Sequence, residues 1–444
     1  MSINLDSLDK LVSLAKRRGY VFPSSEIYGG FASTWDYGPL GAELIRNIKE
    51  AWWRDIVVAR DDVVGLNASI LMAPKVWEAS GHVEHFSDPL VECKECRRRF
   101  RDDDFAGNTC PKCNGDLGDI RQFNTMFKTF VGPVEQQAAT AYLRPETAQS
   151  IFVNFRNVQQ SARMKLPFGI AQTGKAFRNE ITTGNFLFRT REFEQMELEY
   201  FVPPHEDEAS FEFWITRRKA WYEKYGIDAQ NLRVRKHATE ELAHYSLGTS
   251  DIEYRFPFGW SEIEGIARRG SYDLQQHIDA GAKDLTYFDN DSGQHIVPWV
   301  VEPSAGVDRA ALSFLCEAYR EEKVPNSKGK EEIRTVLRLD PRLAPIKVAY
   351  FPLVKKPPLQ ELAHKLQDQA RFTWNTFYDE TGAIGRRYRR QDEAGTPFCV
   401  TVDYESLDDN AVTIRDRDNL KQERIPVTDV IAYLNSRLHW SKGQ

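Results

Sequence analysis

Three stretches of this chain carry residues whose types and spacing could do chemistry. In Arg191-Glu192-Phe193-Glu194-Gln195-Met196-Glu197-Leu198-Glu199-Tyr200-Phe201, polar and apolar positions alternate. On a strand this puts Phe193, Gln195, Glu197 and Glu199 on one face and Met196, Leu198 and Tyr200 on the other. Upstream, Phe177-Arg178-Asn179-Glu180-Ile181 places Arg178 and Glu180 on a shared face, and the turn formers from Thr182 to Phe186 join the two as an antiparallel hairpin with a long loop. One sheet surface then carries an arginine, several carboxylates and an aromatic. Burying such a face is costly unless it binds something charged; the alternative is a solvated hairpin laced with surface ion pairs.

The second cue is Arg309. Val297 to Gly306 reads as a strand and a small-residue turn, and Val307 to Leu315 as a helix with Arg309 in its first turn. A cation there opposes the helix dipole, so an anionic ligand explains it better than helix stability. The third is Cys93-x2-Cys96 with Cys110-x2-Cys113, two knuckles thirteen residues apart. Four thiolates at this spacing suit a tetrahedral zinc ribbon, and a closed set of four protein ligands points to a structural site. A redox pair or a metal-free relic is the competing reading.

The elements around these residues follow from pattern. Leu5, Leu8, Leu11 and Leu14 mark a short N-terminal helix, and Gly29 to Gly38 a loop. Pro39 opens a helix whose stripe of Leu40, Leu44, Ile48, Trp52 and Ile56 faces a core or a partner subunit. Val63 to Met72 reads as a strand, residues 205–225 as a helix, and Phe258 to Arg269 as a strand carrying acids and arginines, whose blandest reading is an edge strand with surface ion pairs. Residues 321–332 read as an exposed loop and Thr335 to Leu339 as a strand. After residue 343, strands at Ile346–Leu353, Phe398–Val402 and Ala411–Arg415 alternate with helices at Leu359–Tyr378 and from Thr428, a small α/β domain. Between them Gly385-Arg386-Arg387-Tyr388-Arg389-Arg390-Gln391 reads as a basic loop, solvated or stacking on single-stranded RNA.

At 444 residues with net charge −6, the chain has room for two or three domains, and any nucleic-acid contact must come from local basic patches. No signal-like start or bilayer-length apolar run is present, so a soluble, cytoplasmic protein is expected, with cysteines on metal rather than in disulfides.

Taken together, Trp35-Asp36-Tyr37-Gly38-Pro39-Leu40-Gly41, Ser80-Gly81-His82-Val83, Leu143-Arg144-Pro145-Glu146-Thr147-Ala148-Gln149, the hairpin motifs, Glu302-Pro303-Ser304-Ala305-Gly306-Val307-Asp308-Arg309 and Gly385-Arg386-Arg387-Tyr388 resemble the class II aminoacyl-tRNA synthetases. Within that class the resemblance is to the dimeric, bacterial-type glycyl-tRNA synthetases, and it spans nearly the whole chain in family order. It implies an α+β fold: a catalytic domain over 1–342, an antiparallel sheet flanked by helices with a zinc-ribbon-like insertion at 90–120, then an α/β anticodon-binding domain over 343–444. Pro39 to Pro74 resembles the motif that builds the dimer interface, so a homodimer is implied.

The resemblance also implies roles. Arg178 would hold the α-phosphate of ATP and Arg309 the γ-phosphate end, with Mg2+ bridging the phosphates. Phe193 would stack on adenine with Glu180 near its exocyclic amine, and Asn179 and Glu302 would also contribute to ATP binding. Glu146, Glu197 and Glu302 would grip the glycine ammonium, Arg269 would face its carboxylate, and Ser304 would close the pocket. Glycine and tRNA(Gly) are the implied partners, with structural Zn2+ on Cys93, Cys96, Cys110 and Cys113. Steric exclusion alone rejects larger amino acids, so no editing domain is needed. The rival readings are another class II synthetase or a non-catalytic nucleic-acid-binding relative.

Overall fold

The computed structural model describes residues 2–102, 107–133, 140–243, 245–281, 283–290, 292–325 and 331–440. Helix α1 (Leu8–Arg18) begins where the Ser7 hydroxyl accepts from the Asp9 amide, and ends at Gly19 in the left-handed region. Helix α2 (Pro39–Trp53) opens on proline and runs into one π turn, Arg54–Val58. Leu44, Ile48, Trp52 and Ile56 from its stripe are buried in the chain's own core, which leaves the opposite face of α2 for any partner. The preceding loop is mostly open, but Trp35–Tyr37 pairs with Val21–Pro23 as a short ribbon.

The central sheet is built in sequence from β1 (Val63–Gly65), helix α3 (Ala148–Ala162), β2 (Phe168–Phe177), β3 (Glu192–Val202), helix α4 (Asp207–Lys224), β4 (Leu232–Lys236), β5 (Gly248–Phe256), β6 (Gly259–Gly270), helix α5 (Tyr272–Asp279), β7 (Trp299–Gly306) and helix α6 (Val307–Ala318). Its seven strands lie in the order β4-β5-β6-β7-β3-β2-β1, antiparallel except for β1 against β2. One face packs on α1, α2, α4 and α6, burying Met196 and Leu198 with Trp214 and Leu312. On the other, Phe152 and Phe155 of α3 and Leu274 of α5 pack on Phe168 and Phe201, at one end of the sheet. The remainder of that second face holds the polar side chains of β3, β6 and β7.

Ser87–Glu92 pairs with Arg99–Arg101 on one side and Arg121–Asn124 on the other, a three-stranded insertion carrying the cysteines. After α6, β8 (Tyr319–Pro325) and β9 (Glu331–Leu337) form an antiparallel pair. The C-terminal unit is β10 (Val348–Pro352), helix α7 (Pro357–Ala370), β11 (Thr376–Tyr378), helix α8 (Ile384–Glu393), β12 (Phe398–Val402), β13 (Ala411–Asp416), β14 (Gln422–Pro426) and helix α9 (Val430–Leu438). Its five strands run β11-β10-β12-β13-β14, with β10 parallel to both neighbours, around a core of Tyr350, Leu366, Val400 and Leu434.

Several local expectations are corrected. The strand expected over Val63–Met72 stops at Gly65, because beyond it the Ala68 and Ser69 carbonyls accept from Arg144 and the Ala68 amide donates to Gln172. The strand entering the hairpin ends at Phe177; the Arg178 amide still reaches Arg191, but the Glu180 amide turns back on the Arg178 carbonyl. The charged segment expected at an edge is β6, in the middle of the sheet, with its Glu264 carboxylate taken by buried Arg218 of α4. The expected 321–332 loop is mostly strand, its tip at 326–330 lying outside the described residues. The long helix after Leu359 ends at Ala370 and gives way to β11. The basic Gly385–Gln391 segment is helix, α8, rather than loop.

Gly41 sits inside α2 because the helix backs onto the Tyr20 carbonyl; a Cβ there would lie 1.9 Å from that oxygen and 2.8 Å from the Tyr37 ring. Gly41→Ala is therefore expected to cost about 1–3 kcal/mol by forcing helix and ribbon apart. Urea unfolding reads this as a lower midpoint, and an unchanged midpoint contradicts the packing.

Candidate active site

The floor of the site is β3. Its alternation arises because one face meets helices rich in aromatic and aliphatic side chains, which take Met196, Leu198 and Tyr200 and leave Phe193, Gln195, Glu197 and Glu199 on the other. Ser304 of β7 lies directly across from Glu197, and Ala267 of β6 across from Glu302. Above this floor stand the Arg144–Thr147 loop, the start of α6 and the Leu187–Thr190 loop.

One end is an open cleft whose walls include Arg178, Glu180, Phe188, Phe193, Glu262 and Arg309. Arg178 Nε donates to the Pro145 carbonyl at 3.0 Å, and its guanidinium lies 5.4 Å from the centres of both the Phe86 and Phe193 rings. Arg309 Nε donates to the Phe188 carbonyl, a terminal nitrogen is 3.0 Å from Glu262 Oε2, and the group sits 4.4 Å over the Phe188 ring. Burial raises the Glu262 carboxyl, but Arg309 more than offsets this and holds it below the usual range. Burial lifts Glu180 above it. Asp308 accepts from the Tyr37 hydroxyl at 2.6 Å and the Glu194 amide at 2.9 Å, pinning the start of α6 to the edge of the floor. Two cations are thus held largely by carbonyls and ring faces, and can still meet a polyanion.

The other end is a buried cluster of acids. Glu197 accepts from the Thr147 amide at 2.9 Å, the Thr147 hydroxyl, the Ser304 hydroxyl at 2.7 Å and the Gln195 amide group at 2.8 Å. Glu146 lies 3.3 Å from His82 Nε2. Burial alone would raise Glu146, but His82, Arg269 and Arg178 hold it well below the ordinary carboxylate range. Burial and Glu146 push Glu197 up. Burial pushes Glu302 to about 8, with Arg269 opposing and Glu197 and Glu146 reinforcing. Arg269 is buried, with its fork on both oxygens of Asp273 at 2.7 and 2.9 Å, its other terminal nitrogen on Glu302 and its face 3.9 Å from the Tyr245 ring. Its donors are therefore engaged by carboxylates, and it reaches the pocket through Glu302. Asn179 lies at the rim, its amide donating to the Thr125 carbonyl of the insertion at 2.7 Å.

Arg178, Glu180, Phe193 and Arg309 thus meet at one end, and Glu146, Glu197, Arg269, Glu302 and Ser304 at the other. Sequence reasoning missed His82, Thr147, Asp273 and Phe188. His82 and Thr147 lie inside quoted motifs but carry no periodic signal of their own; Asp273 and Phe188 had none.

In the insertion, Cys93 Sγ is 3.5 Å from Cys113 Sγ and Cys96 Sγ is 3.7 Å from Cys110 Sγ, and all four sulfurs lie within 4.8 Å of one another. Zn–S bonds of about 2.3 Å make a tetrahedron with S···S edges of about 3.8 Å, so the set fits zinc. Amides of Cys96 and Lys112 donate to Cys93 and Cys110 sulfurs, as thiolates require.

An antiparallel sheet carrying paired arginines at one end and buried acids at the other defines a class II aminoacyl-tRNA synthetase. The family model described as the tRNA synthetase class II core domain (G, H, P, S and T) matches residues 132–310, and the anticodon binding domain model matches 347–437. The glycine–tRNA ligase of Streptomyces coelicolor is 54% identical over 98% of this chain and 99% of its own length. Those of Thermobifida fusca and Treponema denticola are each 53% identical, covering 99% and 97% of this chain and the same shares of their own. The chain belongs to the glycine–tRNA ligase family.

The raised Glu302 carboxyl fixes the sign of one linkage. Burial and the neighbouring acids favour its protonated form near neutrality, and a cation placed beside it would favour the carboxylate. Glycine binding at pH 7 is expected to release protons, measured by calorimetry in two buffers of different ionisation heat. Heat independent of the buffer contradicts it.

Proposed function

We propose that this chain attaches glycine to tRNA(Gly) in two steps. First, a glycine carboxylate oxygen attacks the α-phosphorus of ATP and the bond to pyrophosphate breaks. Then a hydroxyl of the terminal tRNA ribose attacks the carbonyl of glycyl-adenylate and AMP leaves. The observation that carries this reading is the pairing of Arg178 and Arg309 at the mouth with Glu146, Glu197 and Glu302 behind them. The nucleophile of the first step is already an anion, so no general base is required. The barrier is repulsion and positioning, which preplaced cations lower.

Arg178 takes the α-phosphate and Arg309 the γ-phosphate end; Phe193 receives the adenine, with Glu180 and Asn179 beside it. Mg2+ would neutralise charge on the phosphates, and Glu180, Glu262 and Asp308 are the carboxylates lining that end. The ammonium sits among Glu146, Glu197 and Glu302. Ser304 and Thr147 aim Glu197 at it, and Arg269 braces Glu302 while lending positive charge on the carboxylate side. Close walls of these side chains would reject larger amino acids by steric exclusion alone.

Zinc on Cys93, Cys96, Cys110 and Cys113 would hold the insertion against the site. We further assign a catalytic unit to 1–342 and an anticodon-binding unit to 343–444, in a cytoplasmic homodimer. Ile27, Tyr28 and Phe31, each more than 80% exposed just before α2, supply apolar surface for the partner. Among the described residues no helix is long and apolar enough to cross a membrane.

Arg178→Ala or Arg309→Ala is expected to lower glycine-dependent pyrophosphate exchange by at least about 10²-fold with the fold intact; exchange near the unmodified rate contradicts these roles. Purified under reducing conditions, the protein is expected to contain one zinc per chain. Stripping it with a chelator should raise amide exchange across 87–124; metal-free protein with full protection there overturns the zinc assignment.

A further inference from the structure

Helix α8 carries the arginine and tyrosine cluster whose sequence suits stacking on RNA, yet its Arg387, Gln391 and Asp392 are buried. Arg387 is buried and donates to the Pro352, Leu353 and Asp379 carbonyls, and Tyr388 shares a hydrogen bond with Thr401. Asp392 is fully buried. It accepts from Arg334 Nε of β9 at 2.8 Å and from both terminal nitrogens of Arg415 of β13 at 2.9 and 3.1 Å.

Arg334, also fully buried, reaches Glu322 at 2.9 Å and the Arg417 carbonyl at 2.7 Å. Arg417 returns the contact, donating to the carbonyls of Leu339 at 2.6 Å and Gly395 at 2.7 Å. Leu337 and Leu339 belong to the core of the central sheet, whereas α8, β13 and Arg417 belong to the C-terminal sheet. The network therefore spans the junction between the two bodies. At its rim Glu393 accepts from Arg17 and Arg18 of α1, Arg389 pairs with Glu332, and the Tyr20 hydroxyl donates to the Ala394 carbonyl at 3.1 Å.

Buried ion pairs are a poor source of stability, because dehydrating the charges offsets much of their attraction; register is their best-attested use. An apolar junction tolerates sliding. An arginine fork fixes both distance and angle to its acceptor. We propose that Arg334, Asp392 and Arg415 are positioning residues for the second step. They set the register between the two bodies so that a tRNA held at its anticodon end presents its terminal ribose to the cleft of Arg178 and Arg309. This rests on the glycine–tRNA ligase reading above.

The test compares the full-length protein with Arg334→Met/Asp392→Leu/Arg415→Met, which removes every charge of the triad at similar volume. Two activities are read: glycine-dependent pyrophosphate exchange, which needs only the catalytic body, and charging of full-length tRNA. The expected result is exchange at the unmodified rate, with charging kcat/KM down by at least about tenfold, since small misplacements at a reacting centre cost that much or more. Charging at the unmodified level in the folded variant overturns the proposal, as does an equal fall in both activities.

If the triple variant fails to fold, Arg17→Ala/Arg18→Ala at the partly exposed rim is read in the same way. It is expected to show the same split at smaller size, and its absence overturns the proposal. Failure of the unmodified protein to exchange pyrophosphate with glycine instead strikes the functional reading, independently of either variant.

Discussion

The structure is organised by the need to satisfy the Glu197 carboxyl group where water is nearly excluded. A buried carboxylate is tolerated only when donors replace its hydration. Here four donors come from three places in the chain: the Thr147 amide and hydroxyl just ahead of α3, Ser304 on β7, and Gln195 two residues away on β3. The amide at the helix N-terminus adds the favourable end of a dipole. Strand order, the pairing of Glu197 with Ser304 and the entry angle of α3 are thereby tied to one side chain. The same logic extends outward, since Gln149 of α3 donates to Glu146 and Asp273, and Asp273 holds the Arg269 fork.

How much of this was legible depended on whether the signal was local. The β3 alternation was readable because one face of the strand is apolar and the other polar along its whole length. Arg309 stood out because it contradicts the helix dipole, and the cysteines because their spacing is the chemistry. The segments that misled are those whose charges are neutralised from far away. β6 looked like an edge because Glu262, Glu264, Arg268 and Arg269 suggest solvent, yet Arg309, Arg218, Asp207 and Asp273 meet them from other elements. Helix α8 looked like a loop because its arginines had no visible acceptors; those acceptors are backbone carbonyls and acids from elsewhere in the chain. Tertiary pairing of this kind leaves no periodic trace in a sequence.

The insertion shows how a structural site can bear on catalysis without touching a substrate. Its last strand delivers the Thr125 carbonyl to the Asn179 amide, its Arg101 amide donates to the Thr182 hydroxyl, and Phe86, at its root, underlies the Arg178 guanidinium. The segment from Arg178 to Thr182 has left the sheet and lacks a strand partner on that side, so these contacts substitute for the missing ladder. A metal that fixes the ribbon therefore also fixes the arginine expected at the α-phosphate.

Arg178 and Arg309 are oriented in a way that preserves their charge. Ion pairing alone would position them equally well, but it would spend their attraction before a ligand arrived. Arg178 is instead oriented by a neutral carbonyl and two ring faces, and Arg309 by two carbonyls, one ring and a single carboxylate. Carbonyls and rings restrict a guanidinium's geometry while neutralising little of its charge. Phosphoryl transfer to an anionic nucleophile needs that combination: cations rigid enough to align three charged groups, and unspent enough to hold them together. The acids at the opposite end are balanced the other way, each beside a cation: Glu146 next to His82 and Glu302 next to Arg269.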